Sequence, residues 1–409
     1  SVSTMLRFLI DLAEKVCPKQ FLHLKITNLK IDIFGLRERK SMLTTFGKRR
    51  ILIGIYPKSK DMSRLIGKDN SGKGANSMLC IKQHFAFLLL ILSLISWNAR
   101  AQNFPVTFSH IYGITELEKK PEKIVSLSFS SHDNFLALGV TPDAIRYWYG
   151  NYEYGVWPWA EEKLGDKKPV VLRGSINIEQ IALLDPDVIE ATWSGITKSQ
   201  YELLSQIAPV VPPLEGNTAY SMRWDEMALT IGKIIGKENE AENQISAIQN
   251  RVLDVRLRHP QWEGKSAVVA FYSVGSPGAY GPSDLRPQFL STLGFETPRA
   301  IADLAGGRNF TVPISAEDLS PLDADALLWF AVNESSLNSI RRLALRRSLN
   351  AHKQGREIYI PPLLTSSFSH ASLLSLPYVL DELVPSLEKA LDGDPSTIVQ
   401  ASQDARLSP

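Results

Sequence analysis

Seven aromatic side chains, Tyr147, Trp148, Tyr149, Tyr152, Tyr154, Trp157 and Trp159, fall within 13 residues of a stretch that also carries Gly150, Gly155 and Pro158. Their spacing fits neither a helical nor a strand period, whereas core aromatics arrive on one face of a periodic element. An irregular aromatic cluster suits the wall of a cleft, because large ligands are held by aromatic surface with a few placed charges. Arg146, Arg173, Arg223 and Arg286 stand in expected loops at strand ends, where a guanidinium can pair with an oxyanion and stack on a ring. Ser131-His132-Asp133 has the residue types of a hydrolase, but neighbours in sequence cannot form a nucleophile–base–orienter line, and no Gly-x-Ser-x-Gly elbow occurs. His132 reads instead as a loop or pocket residue. His110, His132, His259, His352 and His370 follow residue 101 with no His-x-x-x-His pair, although separated histidines could still meet at a metal.

The elements that must position these residues show a repeat. Glu179-Gln180-Ile181-Ala182-Leu183-Leu184-Asp185-Pro186-Asp187-Val188-Ile189 and Glu317-Asp318-Leu319-Ser320-Pro321-Leu322-Asp323-Ala324-Asp325-Ala326-Leu327 share one pattern 138 positions apart. Each predicts a short helix with Glu in its first turn, an Asp-x-Asp turn, and an apolar strand, Val188 to Ala191 in one copy and Ala326 to Phe330 in the other. A single repeat at that separation indicates two similar lobes with a cleft between them rather than a solenoid.

Strands and helices alternate through both copies. Ile124 to Phe129 precedes a helix from about Asp133, Val210-Val211 follows a helix from about Ser199, and Ala267 to Tyr272 opens a second series. The expected fold class is α/β, with two lobes of parallel-type sheet covered by helices. Between the series, Ala241, Ile245, Ile248, Val252 and Val255 mark one amphipathic helix over Glu238 to about Arg258, ended by His259-Pro260. Such a helix is a stiff spine, so the lobes should move little.

Upstream, Met78, Lys82, a 13-residue apolar run from Phe85 to Trp97, and Ala99-Arg100-Ala101 form the parts of a secretory signal peptide. The run is too short to span a bilayer, which needs about 20 residues. Residues 1–77 are basic and read as upstream sequence without a role in the mature fold. Their segment GKDNSGKG (67–74) lacks the Ser or Thr of a phosphate-cradling loop, and nothing in them is arranged for nucleic acid. After residue 101 the chain carries 27 Lys and Arg against 37 Asp and Glu, a net of −10, so the formal +2 of the whole chain misleads. Both cysteines, Cys17 and Cys80, lie upstream, which excludes thiol chemistry, disulfides, Cys-based metal sites and a lipid attachment point after the cleavage site. The expected boundaries are 1–77 extension, 78–101 signal, 102–236 N-terminal lobe, 237–259 linking helix, 260–391 C-terminal lobe and 392–409 polar tail.

Several stretches resemble one family. Arg146-Tyr147-Trp148-Tyr149-Gly150, Gly155-Val156-Trp157-Pro158-Trp159, Ile176-Asn177-Ile178-Glu179-Gln180-Ile181, Tyr280-Gly281-Pro282-Ser283-Asp284-Leu285-Arg286 and Ser372-Leu373-Leu374-Ser375-Leu376-Pro377-Tyr378 together resemble periplasmic iron-siderophore-binding proteins of ABC importers. The resemblance runs from about Lys123 to Leu391. It implies a soluble, monomeric periplasmic receptor of a Gram-negative importer, without catalysis, resident cofactor or nucleic acid, that holds an iron(III)–siderophore complex and hands it to a permease dimer. It implies a ligand site drawn from Arg146, Tyr147, Trp148, Tyr149, Trp157, Trp159, Arg173, Trp193, Arg223, Tyr272, Tyr280 and Arg286. Glu179 and Glu317 would dock into Arg pockets of the permease; alternatively each carboxylate only stabilises its helix N-terminus. Haem and cobalamin binders share the fold, with Tyr147, Tyr272, Tyr280 or His132 as conceivable haem ligands, and zinc or manganese binders of the superfamily are a further alternative.

Overall fold

The computed structural model describes residues 25–27, 30–32, 42–46, 49–53, 104–307 and 309–409. The chain divides into two units, Ser1–Trp97 and Asn98–Pro409. In the first, Lys25–Thr27 pairs antiparallel with Lys30–Asp32, and Met42–Phe46 with Arg49–Ile53. The signal-like segment, the 67–74 loop and both cysteines lie outside the described residues.

The second unit opens with a hairpin of β1 (Val106–His110) and β2 (Gly113–Leu117). There follow β3 (Ile124–Ser126), α1 (His132–Ala137), β4 (Ala144–Arg146), α2 (Pro158–Leu164), β5 (Val170–Leu172), α3 (Ile178–Leu183), β6 (Val188–Glu190), α4 (Lys198–Leu204) and β7 (Val210–Val211). The sheet runs β7-β6-β3-β4-β5 with all pairs parallel. Every residue of the central strands β3 and β6 is buried, as helices on both faces of a parallel sheet require.

α5 (Trp224–Ile234) leads into α6 (Glu238–Arg258), 21 residues and so about 30 Å long. The five apolar positions read from its sequence are its five buried residues. The second lobe contains β8 (Ala267–Ser273), β9 (Ser276–Tyr280), α7 (Leu285–Thr292), α8 (Arg299–Ala305), β10 (Thr311–Pro313), β11 (Ala326–Phe330), α9 (Glu334–Arg341), α10 (Asn350–Lys353), β12 (Glu357–Ile360), α11 (Pro362–His370), α12 (Ser375–Ala390) and α13 (Gln400–Asp404). Its order is β10-β9-β8-β11-β12, parallel across β8, β11 and β12 but antiparallel for β9 and β10. The antiparallel edge departs from a purely parallel reading. It arises at Val274 (φ 50°) and Gly275 (φ 83°), whose successive positive φ values make a tight hairpin turn.

The repeated Asp-x-Asp has a shared purpose. Asp187 Oδ2 accepts the Glu122 and Lys123 amides at 2.9 and 2.9 Å, and Asp325 Oδ2 accepts the Ser266 amide at 2.9 Å. In both lobes the second Asp therefore pins the start of the neighbouring parallel strand. The helical part of the repeat differs. Glu179 stands in the first turn of α3, but Glu317 occupies a turn followed only by the 3-10 segment Ser320–Leu322. Pro321 explains this, because it lacks the N–H that a helix would direct to the Glu317 carbonyl and its ring would clash there; the matching residue in α3 is Leu183.

Residues 392–409, expected as a polar tail, close the second lobe instead. Ser402 Oγ donates to the Glu357 carbonyl (2.8 Å) and accepts the Tyr359 amide (2.9 Å), while Arg346 Nη1 donates to the Leu407 carbonyl (2.9 Å). Val399, Ala405 and Leu407 are buried, sparse apolar anchors that a polar composition hides. Across α6, the ion pairs Arg251–Asp381 (2.6 Å) and Arg258–Glu388 (3.3 Å) and the hydrogen bond between His259 Nε2 and Glu388 (2.8 Å) bind the spine to α12. No helix of the described residues is long and apolar enough to cross a membrane.

Candidate functional site

The aromatic cluster meets the second lobe along a seam. β3 carries the chain to α1, whose first residues His132, Asp133 and Asn134 are buried, and α11 delivers His370 from the other side, ending at Ala371 in the left-handed region (φ 44°). Asp133 Oδ2 accepts Trp159 Nε1 and Ser372 Oγ, both at 2.7 Å, and Asn134 Oδ1 accepts the Leu373 amide at 2.9 Å. The His370 ring lies 5.3 Å from Trp148, 5.7 Å from Trp157 and 5.1 Å from Trp159. Trp157 and Trp159 stack at 5.2 Å and 7°. Gly150 permits this packing, since its φ is 93° and a Cβ there would come within 2.8 Å of the Trp157 ring. Further along the seam Trp193 meets Tyr220 at 5.3 Å, and Tyr220 meets Phe310 at 5.5 Å.

Polar groups are fixed within this aromatic frame. Arg146 Nη1 donates to the Ser194 carbonyl (2.8 Å), with its guanidinium 4.2 Å from the Phe129 ring centre; burial lowers its pKa. Arg173 is exposed and lies 4.0 Å over Tyr147. Arg286 is buried, donates to both Asp284 oxygens at 2.8 Å and to Ser369 Oγ at 2.7 Å, and lies 3.9 Å over Tyr280. Burial raises the pKa of Tyr149 and of Tyr280.

The seam brings together Arg146, Trp148, Tyr149, Trp157, Trp159, Trp193, Tyr280 and Arg286. Three expected ligand contacts are placed otherwise. Tyr272 packs against the face of the second sheet that carries Val268 and Ala270, opposite to Phe271 and Tyr280, because successive strand residues alternate. Its hydroxyl donates to the Gly275 carbonyl at 2.8 Å. Arg223 is mostly exposed and paired with Asp225 at 2.6 Å. Tyr147 donates its hydroxyl to the Gly150 carbonyl. Trp157 is only 6% exposed, so it is packed wall rather than contact surface. The sequence reading missed His370, Asp133, Asp284, Phe129, Tyr220 and Phe310, which meet through tertiary contact. Ser131-His132-Asp133 was a visible signal, though of packing rather than hydrolysis. Among the described residues no group of three or more His, Cys, Asp or Glu could hold a metal ion.

Both ring nitrogens of His132, Nε2 of His370 and Oδ1 of Asp133 are buried without a hydrogen-bond partner among the described residues. His370 Nδ1 faces the Ser366 carbonyl at 2.8 Å, which fixes the neutral tautomer with Nε2 bare. Burial pulls its pKa from 6.5 down to about 4, with Asp133 opposing and His132 and Arg286 assisting. The unfolded chain thus takes up a proton below about 6.5 that the folded protein refuses until about 4. Stability is expected to be full above pH 6.5 and to fall by about 1.4 kcal/mol per unit between pH 6.5 and 4 from this group alone. Denaturant titrations of the protein and of His370→Gln at pH 7.5 and 5 check this, the variant losing less over that interval.

The sequence profile described as "Periplasmic binding protein" matches residues 124–363, more than half of the chain. The chain belongs to the periplasmic binding protein family. Among curated members, the Fe(3+) dicitrate-binding periplasmic protein FecB of Escherichia coli (strain K12) is 30% identical over 229 residues, covering 53% of this chain and 68% of FecB. Among solved structures, a periplasmic solute binding protein from Mycobacterium smegmatis matches with TM-score 0.62 and 32% identity over 70% of this chain and 99% of its own. PiaA of Streptococcus pneumoniae TIGR4 in complex with ferrichrome matches with TM-score 0.61 and 28% identity over 71% and 99%. Members of this periplasmic binding protein family are substrate-binding proteins, in keeping with a seam that offers stacking and hydrogen bonding.

Proposed function

We propose that the chain captures a ferric siderophore at the aromatic seam and delivers it, as a monomer in the periplasm, to the permease dimer of an ABC importer. The observation that carries this reading is the meeting of rings from both lobes, His370 of the second lobe with Trp148 and Trp159 of the first and Phe310 of the second with Tyr220 of the first, with Arg146 stacked on Phe129 beside them. Aromatic surface with few fixed charges suits a large flat-armed complex. The ferric dicitrate-binding and ferrichrome-bound relatives support the same ligand class. The protein catalyses no reaction and holds no resident cofactor in this reading. Titrating the protein with ferric siderophores, haemin and cobalamin while following Trp fluorescence tests it: a saturable change with a ferric siderophore is expected, and saturation by haemin or cobalamin alone would overturn it.

Export rests on the apolar run from Phe85 to Trp97 and the Ala99-Arg100-Ala101 site that follows it. The secreted protein is expected to begin at Gln102, and N-terminal sequencing of the exported form checks this; an exported chain that keeps residues 1–77 would contradict it.

A further inference from the structure

The charge of the captured complex can be read from how the seam's guanidiniums are matched, an inference that rests on the ferric-siderophore reading above. Arg286 is the buried guanidinium of the second wall, and it is not a free charge: Nη1 lies 2.8 Å from each oxygen of Asp284, itself 1% exposed. A buried carboxylate at that distance cancels most of the field a ligand would feel from the guanidinium. Asp284 also caps α7 by accepting the Arg286 amide at 3.0 Å. A neutral Asn would cap equally well, so the helix alone does not call for a negative charge here.

Behind the first wall lie two more buried carboxyl groups. Asp133 Oδ2 accepts from Trp159 and Ser372, and Glu190 accepts from Ser126, Ser128 and both the amide and hydroxyl of Thr192. Among the described residues no arginine or lysine pairs with either; the ring of His132 lies 3.5 Å from Asp133 Oδ1. Of the three guanidiniums, Arg286 is matched by a buried carboxylate, Arg146 is spent on the Ser194 carbonyl and the Phe129 ring, and Arg173 is exposed over Tyr147.

We propose that the seam selects ferric complexes of low net charge, of the neutral trihydroxamate type, over polyanionic citrate or catecholate complexes, and that Asp284 sets this preference by masking Arg286. Rejection is built into the site as a buried negative charge, in addition to attraction by aromatic surface. The test uses the full chain with two probes, ferrichrome as neutral trihydroxamate and ferric dicitrate as polyanion, each titrated by Trp fluorescence. Ferrichrome is expected to bind at least about tenfold more tightly. Its affinity should be nearly unchanged between 50 and 500 mM salt, as roughly a threefold shorter screening length matters little to a neutral ligand. Asp284→Asn keeps the cap, frees Arg286, and is expected to shift the ratio of affinities toward ferric dicitrate by about tenfold. Tighter binding of ferric dicitrate to the unmodified protein overturns the proposal whether or not the variant folds, as does an unchanged ratio in a folded Asp284→Asn protein. If neither probe nor a ferric catecholate binds, the ferric-siderophore reading itself fails, an outcome distinct from binding with anionic preference.

Discussion

Changing both Glu179 and Glu317 to Ala is expected to stop iron–siderophore uptake while leaving capture by the purified protein intact. Both side chains are exposed and belong to matching positions of the two lobes. Neither makes a salt bridge among the described residues, and exposed carboxylates contribute little to a fold. On a permease the situation reverses: removing one member of a desolvated charge pair costs about 2 to 5 kcal/mol, and two such losses would leave no productive complex. The measurement pairs uptake by cells carrying the double variant with ligand binding in vitro. Normal uptake would rule out docking through these carboxylates, and lost binding would place them in the ligand site. Glu317 sits in a turn rather than a helix, so a dipole-stabilising role fails for it, and a purely structural account covers at most Glu179.

Trp157→Ala is expected to cost about 3 to 5 kcal/mol of stability, the range for deleting a buried large aromatic. Sequence reasoning places Trp157 and Trp159 on a ligand wall, so that replacing both with Ala should weaken ligand binding much more than it lowers thermal stability. The packing argues otherwise: Trp157 is 6% exposed, stacks on Trp159, and meets Tyr149 at 5.2 Å and Tyr152 at 4.7 Å. Trp159→Phe keeps the stack and removes only the bond to Asp133, so a smaller loss of about 1 to 3 kcal/mol is expected. Denaturant midpoints of the two variants decide the matter. A Trp157→Ala protein as stable as the parent would return that ring to the contact surface.

What the sequence made legible follows from periodicity. α6 was readable to the residue because its apolar positions repeat every three or four places against polar neighbours, and β11 and β7 because short apolar runs follow turn residues. The hairpin between β8 and β9 was not, since Val274 is an unusual residue for a positive φ and no Asn-Gly or Asp-Gly marks the turn. Within the site, residues close in sequence announced themselves. Partners drawn together from afar did not: Asp133 and Ser372 are bonded across 239 positions, and nothing local to either signals the other. Arg286 shows the opposite error. The sequence marks it as a site residue with a guanidinium available to an oxyanion, whereas a carboxylate two positions earlier holds it.

The spine has an effect at the level of the whole transport cycle. α6 is bolted to α12 by Arg251–Asp381, Arg258–Glu388 and His259–Glu388, and one continuous apolar core runs beneath it from Phe108 to Val399. With the lobes so joined, the distance between Glu179 and Glu317 is expected to change little when a ligand binds. If Glu179 and Glu317 dock as proposed, empty and loaded copies would present nearly the same footprint to the permease and compete for it. Abundance becomes a control variable: raising the number of receptors above the supply of ferric complex should slow iron entry rather than speed it.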